Sequence, residues 1–239
     1  MERAVLDALR AARDAKRSVL LVTELPAGSQ RVLGLEEVEA LEGPLREAAL
    51  ASLRRDQATV HESEAGRCFL QPQQPPLRLL CVGAVHIAQP LVRLAGVRGF
   101  EVVVVDPRAA WAQAARFPTG VTLVDEWPDD GLEALAPDHR TAVVALTHDP
   151  KLDDPALEVA LRSPAFYVGA LGSRKTHAAR LARLRAAGLG DAALSRIAGP
   201  IGLAIGARSP AEIALAILAE VVQSLRQGFT PRALPEPAP

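Results

Sequence analysis

From residue 77 onward the chain alternates five short apolar runs with amphipathic stretches: LRLLCVG, FEVVVVD, GVTLVD, TAVVALTH and AFYVGA. None of the runs shows the in-out alternation of a strand with one wet face, so each reads as a strand covered on both sides. Strands of that kind, separated by helices, predict an α/β architecture with a parallel, doubly wound sheet. In such a sheet a ligand sits beyond the carboxyl ends of the strands, where the strand order reverses. The rule selects five loops: GAVHIA after the first run, DPR (106–108), DEWPDD, THDPKLDD (147–154) and GALGSRK (169–175).

The segment before residue 77 reads differently. Apolar spacing predicts a helix over 3–15, SVLLVTEL (18–25) a buried strand, and PAGSQ a turn. The 36–55 stretch has a 3.6-residue period broken at Gly43-Pro44, which starts a second helix there. CFLQ reads as a strand, and the proline clusters of QPQQPP as a linker. The predicted organisation is a small N-terminal α+β domain over 1–70, a linker over 71–77, the larger α/β domain over 78–227 and a frayed tail over 228–239. Within the larger domain Gly188 ends the RKTHAARLARLRAAG helix. Ser209, Pro210 and Glu212 form a capping box before the last one.

Composition excludes several function classes. With 49% hydrophobic and 23% charged residues in 239, the chain can bury proper cores. A net charge of -1 offers no global field for nucleic acid or an anionic membrane. No apolar run approaches the roughly 18 residues of a membrane-spanning helix. The charged N-terminus lacks a secretory pattern, so a cytoplasmic location is expected. Cys68 and Cys81 sit in apolar segments without CxxC spacing, which predicts buried thiols, no disulfide and no metal site.

LLCVGAVHIAQPL (80–92) almost matches a dinucleotide fingerprint, with Gly83, Val85 and Ala88 where three glycines belong. Val85 blocks the close backbone approach of a pyrophosphate. Pro90 is expected to loosen the following helix. Asp106, 23 residues after Gly83, stands where a ribose-binding acid stands in NAD(P) domains. NAD(P) binding, a structural turn and a different ligand in the same crevice all remain open. GALGSRKTH offers a capped helix start at Ser173 with Arg174 and Lys175 for an anion, and His177 one turn on from Arg174. THDPKLDD offers His148, Asp149, Asp153 and Asp154 for proton or cation work, with Asp153 also placed to cap a helix beginning at Asp154-Pro155. GxSxG, HExxH and GxxxxGK[ST] are absent, so hydrolase and NTPase chemistry has no support.

Taken in order, GA-x-H-x-A, VVVVDPR, RFP (116–118), THDPKLDDPAL, YVGALGSRKTHAARLARLRAAG and GPIGLAIGARSPAEIALAILAE resemble the C-terminal Rossmann domain of the XdhC/CoxI family, accessory proteins for molybdenum hydroxylases such as xanthine dehydrogenase. The resemblance covers roughly residues 78–227. It implies a Rossmann-like domain that binds the molybdenum cofactor (molybdopterin), protects it while a cysteine desulfurase provides its sulfur, and hands it to the hydroxylase subunit. It implies a carrier and insertion chaperone, and a homodimer enclosing its ligand. On that basis the cofactor-binding set is Gly83, His86, Asp106 and Arg108 in the crevice, His148 and Asp149 at its rim, and Gly172, Ser173, Arg174 and Lys175 for the phosphate, with no catalytic residue. NAD(P)-dependent oxidoreduction is the alternative. The N-terminal part departs from the family: LEGPLREAAL (41–50), with Gly43, Pro44 and Glu47, stands where relatives have a glycine-glycine-cysteine-x-glutamate block but has no cysteine, and the family's SAPR-like segment is lost. Cys68 does not match that position.

Overall fold

The computed structural model describes residues 2–63, 66–108 and 114–230. Its contacts divide the chain into two units, Met1–Pro75 and Pro76–Pro239. The segment 231–239, most of the expected tail, lies outside the described residues.

The first unit runs α1 (Arg3–Asp14), β1 (Val19–Leu25), β2 (Gln30–Gly34), α2 (Leu35–Glu39), α3 (Gly43–Arg55), β3 (Thr59–Ser63) and β4 (Gly66–Gln73). The strands form an antiparallel sheet in the order β2-β1-β4-β3. One sheet face, carrying Leu20, Val22, Leu33 and Leu70, meets Val38 of α2 and Ala49 and Leu53 of α3 in a single core. The linker expected over 71–77 is corrected in its first half. Gln71, Pro72 and Gln73 pair with Leu21, Leu20 and Val19 of β1, extended backbone being the conformation proline already prefers.

The second unit runs β5 (Arg78–Val82), α4 (Ala88–Arg98), β6 (Glu101–Val105), β7 (Thr122–Val124), α5 (Pro128–Leu135), β8 (Thr141–Ala145), α6 (Pro150–Arg162), β9 (Tyr167–Ala170), α7 (Arg174–Ala186), α8 (Asp191–Leu194), β10 (Ile197–Ala198) and α9 (Pro210–Gln227). All five sequence-read strands are present. The sheet is parallel with order β10-β9-β8-β5-β6-β7, so the chain winds outward from β5, returns beside it at β8 and winds the other way. That is the Rossmann order, and its switch point lies between β5 and β8.

The absence of alternation in the strands has its cause in two cores. Leu79 and Cys81 of β5 face one core with Leu91, Val92 and Ala95 of α4 and Ile217 and Val221 of α9. Leu80 and Val82 face the other with Leu132 of α5, Leu157 and Leu161 of α6 and Leu181 and Leu184 of α7. Each such leucine, isoleucine or valine contributes about 1.5–3 kcal/mol by leaving water.

Two local expectations are corrected. Helix α4 begins only at Ala88, so Pro90 occupies its third position, where an amide has no intrahelical partner to lose. Helix α6 is capped by Asp149, whose side chain accepts the Lys151 amide at 3.0 Å, not by Asp153. Asp153 lies in the first turn, fully buried. The capping box at Ser209 and Glu212 is present as read.

Candidate functional site

Gly83 ends β5 with φ +105°, and a Cβ there would come within 2.5 Å of Thr147 Cγ2, so the loops after β5 and β8 touch at this glycine. Asp106, which follows β6, is fully buried. Its Oδ2 accepts from the Ala84 amide and from Arg108 Nη2, both at 2.7 Å. Its Oδ1 accepts from the Arg108 amide at 3.0 Å and Arg108 Nε at 2.8 Å. Burial alone would raise the carboxyl's pKa, but the Arg108 side chain and the two amides outweigh it and hold the group below its ordinary value. Arg108 also feels the charges of Asp149 and Asp153.

The loop after β8 is organised from within. His148 is exposed in the left-handed region at φ +63°. The buried Asp153 accepts from Thr147 Oγ1 at 2.6 Å and from the His148 amide at 3.1 Å. Arg180 of α7 reaches Asp153 with Nη2 and donates through the same nitrogen to the Leu171 carbonyl at 2.8 Å. Burial pushes the Asp153 carboxyl up and the Arg180 guanidinium down. The Asp153–Arg180 pair thus ties the β8 loop to the β9 loop. Sequence reading passed over Arg180, because a cation in the middle of a basic helix carries no sign of burial.

After β9, Gly172 adopts φ +146° and Ser173 caps α7, its hydroxyl accepting the Thr176 amide at 3.1 Å. Arg174 and Lys175 are exposed in the first turn. A cleft of about 700 Å³ opens beside this helix start. It is lined by Leu171, Arg174 and His177, by the loop 199–207, and by Ile213 and Ala216 of α9. Arg174 and His177 share a face, as their spacing requires. The imidazole lies so close to Gly199 that a Cβ on that residue would overlap the ring.

Glu220 of α9 holds the loop from beneath: its Oε2 accepts from the Gly202 amide and from Tyr167 Oη, each at 2.6 Å. A Cβ at Gly202 would press on Ala216 at 3.2 Å, so the loop lies directly on α9.

Of the ten residues nominated from sequence, only Arg174 lines this cleft. Gly83, Asp106, Arg108 and Asp149 belong to a neighbourhood of their own around the β5–β8 switch point, with His148 next in chain to Asp149 and His86 exposed in the loop after β5. Among the described residues the cleft beside α7 thus takes one member of the set, and the switch-point neighbourhood takes others. The GPIGLAIGA loop carries part of the family resemblance, and the sequence reading assigns it no site residue. Its signal was there in three glycines and a proline within nine residues.

The first unit has a groove of about 770 Å³ lined by Cys68 with Glu24, Arg31, His61 and Arg67 and by Glu42, Pro44 and Leu45 at the start of α3. Cys68 is half-buried, not buried as expected, whereas Cys81 lies inside the β5 core with its thiol pushed up to about 12 by burial. Burial also raises the Cys68 thiol, Arg31 opposing and Glu24 assisting.

The profile of the XdhC Rossmann domain matches residues 79–221, more than half of the chain. The chain belongs to the XdhC Rossmann domain family. Within and around that family, a Bacillus subtilis protein named as a probable xanthine dehydrogenase subunit is 31% identical over 184 residues, covering 76% of this chain and 54% of the relative. The Escherichia coli protein named molybdenum cofactor insertion chaperone PaoD is 32% identical over 150 residues, 62% of this chain and 40% of PaoD. This XdhC-family chain thus spans about half or less of the length of these curated relatives. The crystal structure of a xanthine dehydrogenase from Bacillus halodurans superposes with a TM-score of 0.68 at 26% identity, over 94% of this chain and 66% of that one. Among the described residues no helix is long and apolar enough to cross a membrane.

Proposed function

We propose that this chain carries the molybdenum cofactor to an apo-hydroxylase of the xanthine dehydrogenase type, as an insertion chaperone and not as a catalyst. The observation that carries the reading is the cleft beside α7. At about 700 Å³ it falls within the size range of small-molecule sites, roughly 300–1,000 Å³. Its walls are aliphatic and glycine-rich, suited to a flat heterocycle, and Arg174 stands at the amino end of a capped helix, suited to a phosphate. A pyranopterin phosphate has both parts. The name borne by PaoD supports the same cargo.

In this reading Arg174 and the free amides of the first turn of α7 hold the phosphate, Lys175 adds charge from outside, and the loop 199–207 packs on the ring system. His177 orients the ligand from the inner wall. The hydroxylase is the client, and a cysteine desulfurase meets the loaded carrier. The active form is a homodimer, and the setting is the cytoplasm. Gly172 and Ser173 shape the helix start, Ser173 having already committed its hydroxyl to the Thr176 amide.

The test is the molybdenum content of the hydroxylase purified from cells that lack this protein, or that make the wild type or Arg174→Ala. The reading expects an apo-hydroxylase in the first case, a loaded one in the second and a deficit with Arg174→Ala. Equal molybdenum in all three would refute it.

A further inference from the structure

We infer that Arg108 is a specificity-determining residue that closes the β5–β6 crevice to dinucleotides. In Rossmann domains an acid at the end of the second strand accepts the ribose hydroxyls, and the amides of the first loop cradle the pyrophosphate. Here the acid is occupied from within, and so is one amide of the first loop, that of Ala84. An ionised carboxylate has about four acceptor positions. On Asp106 all four are filled, three by Arg108 and one by the Ala84 amide. The single bond from Ala84 to Asp106 removes a loop amide and a ribose acceptor at once.

The rest of the loop is consistent with closure. Val85 turns its side chain onto the core of α4 and α9, where the fingerprint has a bare backbone. Helix α4 starts at Ala88 behind Ile87, which provides no side-chain cap, and Pro90 withholds an amide in its first turn. The side chain of Arg108 keeps 35% of its surface exposed while that of Asp106 keeps none, so the guanidinium is the outer member of the pair. Two of the four acceptor positions open when that side chain is removed. This inference does not rest on the molybdenum-cofactor reading and survives its failure.

The experiment is titration of the full chain with NADH and NADPH, followed by nicotinamide fluorescence, for wild type, Val85→Gly, Arg108→Ala, Arg108→Lys and Arg108→Ala/Val85→Gly. Circular dichroism confirms that each variant is folded. Wild type and Val85→Gly are expected to show no saturation up to about 1 mM, the weak end of specific affinity. Arg108→Ala is expected to bind, and the double variant to bind at least about tenfold more tightly than wild type. Arg108→Lys, which keeps one donor without the two-pronged fork, is expected to fall between. Saturable binding of either dinucleotide by wild type would overturn the inference. So would folded Arg108 variants that gain nothing. Should Arg108→Ala fail to fold, the lysine variant decides by the same criterion.

Discussion

The carboxylate of Asp153 and the guanidinium of Arg180 meet at 3.4 Å with both side chains withdrawn from solvent. Nε and Nη1 of Arg180 find no hydrogen-bond acceptor among the described residues. The pair therefore fixes the geometry of the β8 and β9 loops without being well compensated, the usual condition of a buried ion pair. Removing one partner leaves a buried charge alone. Arg180→Ala is expected to lose about 3–5 kcal/mol in urea unfolding, while Asp153→Asn/Arg180→Met stays much closer to wild type. A single variant no worse than the double would contradict this account of the loops.

Gly199 lies against the His177 ring. Gly199→Ala forces the imidazole or the loop to move and narrows the cleft. Overpacking of this kind costs about 1–3 kcal/mol. The more telling readout is ligand retention, which is expected to fall further than the melting temperature implies. A Gly199→Ala protein that retains bound pterin as wild type does would move the proposed site elsewhere.

Glu220 accepts from two donors, the buried Tyr167 Oη and the half-buried Gly202 amide. Glu220→Leu strands both, at about 1–3 kcal/mol for each donor. Glu220→Gln retains an acceptor and is expected to be milder. Hydrogen exchange at Gly202 reports the effect on the loop directly: fast exchange in Glu220→Leu, near-native protection in Glu220→Gln.

Asp106 makes a prediction with a definite sign in pH. Its folded pKa lies below the ordinary 3.8, so the native state binds the proton less readily than the unfolded chain does. The stabilisation is present above the ordinary value and disappears as pH falls through the lowered folded one. Unfolding free energy of wild type should decline on that acid limb, and Asp106→Asn should be less stable at neutral pH with a shallower decline below it. Parallel curves would remove the ion pair from the account.

How much of this was legible in the sequence depends on the kind of signal. Five of the six strands of the large sheet were readable from their apolar runs, and in β5, β6, β8 and β9 burial on both faces leaves those runs unbroken, as in VVVV at 102–105. The capping box at Ser209 was readable because its chemistry is local. Strands β2 and β3 were not: both are edge strands, β3 is mostly exposed and β2 buries only Leu33, so neither carries a hydrophobic period. β10, two residues long, falls below any periodic signal. In the site, the glycine turns at Gly83 and Gly172 and the capping by Ser173 followed from local rules. The inward turn of Asp106 did not, since the same residue at the same spacing serves a ribose when its neighbours leave it free. The cleft itself depends on Glu220, 18 residues from the amide it fixes at Gly202, and no local pattern announces such a contact.

On the proposed function, the cleft between α7 and the 199–207 loop holds a phosphorylated pterin. The most direct measurement is the fluorescence of oxidised pterin released from the protein purified from a cofactor-producing host, wild type beside Arg174→Ala. Pterin recovered with wild type and sharply reduced in the variant is the predicted result. No pterin with wild type, or equal amounts with both proteins, would contradict it.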